Sequence, residues 1–229
     1  MTPAQVQVQI GDESVDAVMA VPASGSGPAV LVIQEWWGLV PHIQTVVQRM
    51  ADDGFVALAV DHYRGRQTSE PDEAGKLMLG LRIEQVADDL AAAATWLLTR
   101  PEVTGDTACV VGFCMGGGLA LLAPTVSPVI RAAAAFYPAT PWPDYAPNWS
   151  AYRGRFAVVH KAAEDEGHMG AVIDDIAQQI RAADGQIEVY AYPGTHHAFF
   201  NDDRPEVCDE SAAALAWNRT LDFFRAHTR

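Results

Sequence analysis

Apolar and polar residues alternate at the start of the chain, with Val6, Val8 and Ile10 set against glutamines. This period of two predicts a half-buried strand. Gly11-Asp12 supplies a turn, and Val15–Val21 a second short strand, so the chain opens as a hairpin. The pattern then changes to continuous apolar runs at Ala29–Ile33, Phe55–Val60, Ala108–Phe113, Ile130–Tyr137, Phe156–Val159 and Ile187–Tyr192. Runs without alternation suit strands buried on both faces. Helical stripes lie between them. His42–Asp53 aligns Ile43, Val46, Val47 and Met50 and stops at Gly54, Glu84–Thr99 is rich in Ala and Leu, Val172–Ala183 repeats the stripe, and Val207–His227 closes the chain. Strands alternating with helices predict an α/β fold: a mostly parallel sheet, helices on both faces, and an antiparallel N-terminal edge hairpin. In such sheets ligands bind beyond the carboxyl ends of the strands, so residues just after each apolar run are the ones to inspect.

No repeat or long linker interrupts this order, and residues 1–229 read as a single domain. The Pro22–Pro28 stretch is a loop between strands, and the Pro- and Trp-rich segment Pro138–Ser150 an irregular wall. Hydrophobic residues make up 49% and charged residues 19% of the chain, enough for a substantial core. The formal net charge of −14 repels phosphate backbones and argues against nucleic acid as a partner. No apolar run approaches the length of a membrane span, and the N-terminus lacks the basic start and apolar stretch of a leader. Three cysteines, Cys109, Cys114 and Cys208, without a C-x-x-C pair, speak against a disulfide framework and against structural zinc. The expectation is a cytoplasmic monomer or small homo-oligomer that needs no cofactor or metal.

The sharpest chemical signal is Val110–Gly118, in which an apolar strand runs into G-x-C-x-G and then a helix. This is a nucleophile elbow with cysteine at Cys114. The turn is crowded, so Gly112 and Gly116 remove Cβ atoms that would clash, and the helix start aims free N–H groups at the sulfur and at any oxyanion formed there. Cys109 sits inside the strand and Cys208 on the terminal helix, both inert in this reading. A cysteine nucleophile needs a histidine base and a group to orient it. After Phe156–Val159 the chain offers Glu164, Asp165 and Glu166; after Ile187–Tyr192 it offers His196 and His197. The order nucleophile, acid, histidine fits acyl transfer on this sheet, with the choice within each cluster left open by the spacing alone. Amidotransferases share a G-x-C-x-G elbow but pair it with His-x-Glu, which no histidine here provides.

These motifs together resemble the dienelactone hydrolase family, cysteine-nucleophile enzymes of the α/β-hydrolase fold, over nearly the whole chain. GFCMGGG resembles the family's elbow, HKAAED its acid loop, YPGTHHAFF its base loop and IQEWWGL the loop after its third strand. The resemblance implies Cys114 as nucleophile, Asp165 as acid, His197 as base, and Glu35 as a carboxylate that governs the charge of the thiol. It implies an oxyanion hole from the backbone N–H groups of Trp36 and Met115. It also implies a small ester or lactone substrate, with Tyr137 in the pocket and arginines for a substrate carboxylate: Arg66, with Arg64 as the alternative, and Arg204 nearest to the second position. The family pattern places that second arginine four residues after the histidine, where this chain has Asn201.

Overall fold

A computed structural model describes residues 3–140, 142, 144–165 and 168–228. The opening hairpin is β1 (Ala4–Ile10) and β2 (Glu13–Ala20). The chain continues through β3 (Gly27–Ile33), α1 (Pro41–Asp52), β4 (Val56–Val60), α2 (Pro71–Leu79), α3 (Ile83–Leu98), β5 (Val103–Phe113) and α4 (Met115–Val126). It ends with β6 (Ile130–Phe136), β7 (Phe156–Ala162), α5 (His168–Ala182), β8 (Gln186–Tyr192) and α6 (Glu210–His227). The eight strands form one sheet in the order β1-β2-β4-β3-β5-β6-β7-β8. β1 pairs antiparallel with β2 and β2 with β4; every later pairing is parallel. This is the architecture that the hydrophobic pattern predicts.

The central strands carry uninterrupted apolar runs because both faces are covered. In β5, Cys109, Val111 and Phe113 point to a layer shared with Ile43, Val46 and Met50 of α1 and with Trp217, Leu221 and Phe224 of α6. Ala108 and Val110 point the other way, to Val86, Leu90 and Leu97 of α3 and Leu119 of α4. Leu121 of α4 joins Ile173, Ile176 and Ile180 of α5 over Ala157 and Val159 of β7.

Some boundaries differ from the pattern. α2 is a short helix that the periodicity does not single out; it starts on Pro71, whose fixed φ suits the first turn, and only Ala74 and Leu77 are buried on it. β5 begins at Val103, which pairs with Gly27 ahead of a register shift, and residues 103–107 are largely exposed and so carry no apolar run. α6 begins at Glu210 rather than Val207: the Asp209 side chain accepts from the Ala212 N–H at 2.9 Å and caps the helix. Cys208 therefore sits in the turn before the helix, not on it. In the irregular wall, Pro141 and Pro143 lie outside the described residues; Trp142 packs on Gly118 of α4.

One buried polar relay ties β7, β8 and α6 together. His160 Nδ1 accepts from the Tyr192 hydroxyl at 2.8 Å, and His160 Nε2–H donates to Thr220 Oγ1 at 2.9 Å, which itself donates to the Ala216 carbonyl. Burial, helped by the charge of Arg219, pulls the His160 pKa down from 6.5 to about 3. The unfolded chain therefore binds a proton there that the folded chain refuses, and stability falls as pH drops from 6.5 toward 3. Urea unfolding at several pH values should show His160→Gln losing this dependence by one proton, about 1.4 kcal/mol per pH unit. An unchanged slope would mean that His160 does not stay neutral.

Candidate active site

The elbow is built from crowding. Cys114 joins β5 to α4 with φ +54° and ψ −120°, a conformation that side chains adopt only under constraint. A Cβ on Gly112 would lie 2.0 Å from the Gly116 carbonyl oxygen, and one on Gly116 would lie 2.4 Å from that of Gln34. Both glycines are thus sterically required, and the second lets the end of β3 press against the elbow, carrying Glu35 and Trp36 with it. The turn is held by the Cys114 N–H donating to Phe136 at 3.0 Å and by the Cys114 carbonyl accepting from Gly117 and Ala139, both at 2.9 Å. Met115 is the first residue of α4, so its N–H has no acceptor within the helix. Among the described residues, neither the Met115 nor the Trp36 N–H donates to an acceptor outside its own element.

The parallel strands β7 and β8 bring acid and base together. Their register pairs Ala162 with Tyr192. Backbone bonds continue beyond the strand ends, from Ala163 N–H to Tyr192 at 3.2 Å and from Glu164 N–H to Thr195 at 3.0 Å. This stitching sets Asp165 Oδ2 2.8 Å from His197 Nδ1. Behind His197 the chain turns at Ala198, φ +68°, and drives two phenylalanines into the core. Phe199 packs on Tyr137 and Tyr192 with ring centroids 5.5 and 5.1 Å away, and Phe200 stacks on Phe113 at 5.0 Å and Trp217 at 5.4 Å. His196 and Glu164 face solvent, and Glu166 lies outside the described residues.

Electrostatics mark the histidine and the two cysteines outside the elbow. Burial pulls the His197 pKa down, but the hydrogen bond to Asp165 and the negative charges of Asp165 and Cys114 outweigh burial and push it up to about 10. At neutral pH His197 is an imidazolium beside the Cys114 sulfur. Cys109 is buried in β5, and burial pushes its thiol up. Cys208 is pushed up by burial and by Asp202, Glu210 and Asp209.

Glu35 is a buried carboxylate with only 1% of its surface exposed. Its Oε2 accepts from Asn201 Nδ2 at 2.8 Å and its Oε1 from the Tyr137 hydroxyl at 3.3 Å. Tyr137, itself at φ +35°, sets its ring edge-on to His197 at 5.0 Å. Burial, then the charges of Glu35 and Cys114, hold the Tyr137 hydroxyl well above its usual range. Tyr137 and Asn201 are thus both partners of Glu35, a relation the sequence did not disclose; the only sequence signal for Asn201 was its place four residues after His197.

The arginines expected to receive a substrate carboxylate are all engaged elsewhere. Arg64 grips the buried Asp89 through two hydrogen bonds, at 2.8 and 2.9 Å, and reaches Glu13 at 3.3 Å. Arg66 is exposed and pairs with Glu73 at 3.2 Å. Arg204 pairs with Glu206 at 3.0 Å, on the rim of a cleft of about 410 Å³ lined also by Trp37, Val40, His42, Thr68 and Asn201. One group among the described residues has a metal-like arrangement, His42 with Asp202 and Asp203; His42 Nδ1 is bonded to Asp202 at 3.0 Å and both carboxylates are exposed. No described helix is long and apolar enough to cross a membrane.

Comparison with known proteins places this geometry. The sequence model of the dienelactone hydrolase family matches residues 15–228. The chain is 33% identical to "Protein usf" of Aquifex pyrophilus over 97% of each chain. It is 32% identical to a "Putative carboxymethylenebutenolidase" of Aquifex aeolicus, over 89% of this chain and 90% of that one. Among solved structures, a "Putative Dienelactone Hydrolase" of Klebsiella pneumoniae superposes with a TM-score of 0.85 at 26% identity, covering 98% of this chain and 99% of that one.

Proposed function

The chain belongs to the dienelactone hydrolase family and is a carboxylic ester hydrolase of the α/β-hydrolase fold, and from that premise we propose that it cleaves a small ester or lactone through an acyl-enzyme on Cys114. The observation that carries the reading is His197, held at 2.8 Å by Asp165 and carrying a pKa raised by the charges of Asp165 and the elbow cysteine. We read residues 1–229 as one catalytic domain, without a cofactor.

In this reading the Cys114 sulfur reacts as the thiolate, with His197, whose pKa is pushed up to about 10, as the proton carrier beside it. The thiolate attacks the substrate carbonyl, and the electron pair moves to the carbonyl oxygen. That oxyanion sits against the N–H groups of Met115 and Trp36, two fixed donors worth several kcal/mol to the transition state, at about 3 kcal/mol each by analogy with other oxyanion holes. Collapse expels the alkoxide, which takes the proton of His197, leaving a thioester and a neutral imidazole. In a lactone the alkoxide stays tethered to the acyl chain. Water then attacks the thioester, giving its proton to His197, and the Cys114 thiolate leaves to restore the starting pair. Asp165 keeps the imidazole oriented and stabilises its charged form. Glu35, by family resemblance, controls the charge state of the thiol; Tyr137 donates to Glu35 and packs against His197, so it couples the two.

The test is hydrolysis of a dienelactone, a simple aryl ester and glutamine, before and after alkylation with iodoacetamide. The expected result is turnover of ester or lactone that alkylation abolishes, with glutamine untouched. Ester turnover that survives complete alkylation of Cys114, verified by peptide mass, would remove the cysteine mechanism.

A further inference from the structure

We propose that Asn201 sets substrate charge: by holding the buried Glu35 with a neutral donor, it makes the site favour uncharged acyl groups over carboxylate-bearing ones. The inference rests on the acyl-transfer reading above and names the substrate class for that same site.

The argument is one of charge balance. Both oxygens of Glu35 are taken by neutral groups, the Asn201 amide and the Tyr137 hydroxyl, and among the described residues no lysine or arginine bonds to it. The carboxylate therefore sits in a water-poor place, one ring away from His197, with two neutral donors and no cation bonded to it. His197, across the Tyr137 ring from Glu35, is already held by Asp165 at 2.8 Å. The arginines within reach of the strand ends do not supply the missing cation, since Arg64, Arg66 and Arg204 each bond a carboxylate of their own. The cleft beside Asn201 presents Trp37, Val40 and Pro71 with Thr68 and Ser69, a lining suited to an uncharged chain, with Asp203 also on its wall and its Arg204 bonded to Glu206. An acyl group ending in a carboxylate would meet like charge with no counterion, at a cost that low local polarity enlarges. At a net charge of −14 the long-range field opposes it as well.

The experiment compares 4-nitrophenyl butyrate with the 4-nitrophenyl monoester of succinate, which share a leaving group and nearly share acyl length but differ in charge. Each kcat/KM is divided by the rate of alkaline hydrolysis of the same ester, to remove intrinsic reactivity. The wild type should favour the neutral ester by on the order of ten- to a hundredfold, the size expected of one uncompensated charge. Asn201→Arg should narrow or invert that ratio, Asn201→Gln should keep it, and Glu35→Gln should narrow it by removing the charge itself. The ratio reports specificity and does not move with a mere loss of folded enzyme. If Asn201→Arg does not fold, the wild-type ratio and Glu35→Gln still decide. A wild type that treats both esters equally or prefers the anionic one overturns the proposal while leaving the acyl-enzyme reading standing. A discriminating wild type whose ratio Glu35→Gln leaves unchanged overturns it too. If neither ester is turned over, the acyl-transfer reading falls and this inference with it.

Discussion

Cys114→Ala should abolish ester and lactone turnover, a loss of about a million-fold in kcat, with the fold unchanged. The loss is that large because acylation begins by forming a bond to this sulfur and deacylation ends by breaking it, and no neighbour can replace it. Cys109 is buried in β5 and Cys208 lies in the turn before α6, each with its thiol pushed up. The fold should survive because the Cys114 side chain makes no capping bond to α4, and the strained backbone at φ +54° is imposed by the packing of Gly112 and Gly116, which alanine leaves alone. A second readout comes from His197, whose pKa of about 10 draws partly on the thiolate. In Cys114→Ala it should move down toward 6.5, as followed by NMR titration of the imidazole. Retained turnover in this variant would place the nucleophile elsewhere.

The fold was legible where hydrophobic period and burial coincide. The runs in β3 to β8 are apolar because helices cover both faces, so sequence pattern and architecture follow from one cause. Legibility failed where pairing or capping proceeds without burial. Residues 103–107 join β5 while mostly exposed, α2 has a narrow buried stripe, and the start of α6 is set by one hydrogen bond from Asp209. None of these leaves a strong mark in hydrophobicity.

Within the site, local order was readable and long-range partnership was not. The elbow could be read because its glycines bracket the cysteine within a few residues of chain, although only Gly112 answers local crowding, Gly116 answering the distant Gln34. That an acid and a histidine would meet could be anticipated from their places after successive strands, and the choice of Asp165 and His197 within their clusters from the family resemblance. Partners of Glu35 lie 102 and 166 residues away in the chain, and no periodic pattern encodes such a contact. The partners of the arginines were hidden for a related reason: a strand-end position does not reveal that a carboxylate from another element, such as Asp89 for Arg64, bonds the side chain.

His197→Ala should cost nearly as much as loss of the cysteine, about a million-fold in kcat, while His196→Ala should stay within a few-fold of wild type. The contrast rests on geometry, since His197 is bonded to Asp165 at 2.8 Å and His196 faces solvent one residue away. Asp165→Asn should fall between them, near a ten-thousand-fold loss, because the imidazole loses both its orienting acceptor and the charge that stabilises its protonated form. Proton linkage separates this from simple misfolding. The folded pKa of His197, about 10, is above its ordinary 6.5. It therefore contributes stability that is fully present below 6.5 and is lost as pH rises through 10. Asp165→Asn should lower the folded pKa, so the variant should be less stable than wild type at pH 6 and draw level with it by about pH 10.5. The alkaline limb of its residual kcat/KM should move to lower pH for the same reason. Denaturant melts at both pH values, beside a pH–rate profile, read these shifts. A deficit in stability that is the same at both, with the alkaline limb unmoved, would mean that Asp165 does not hold the proton on His197.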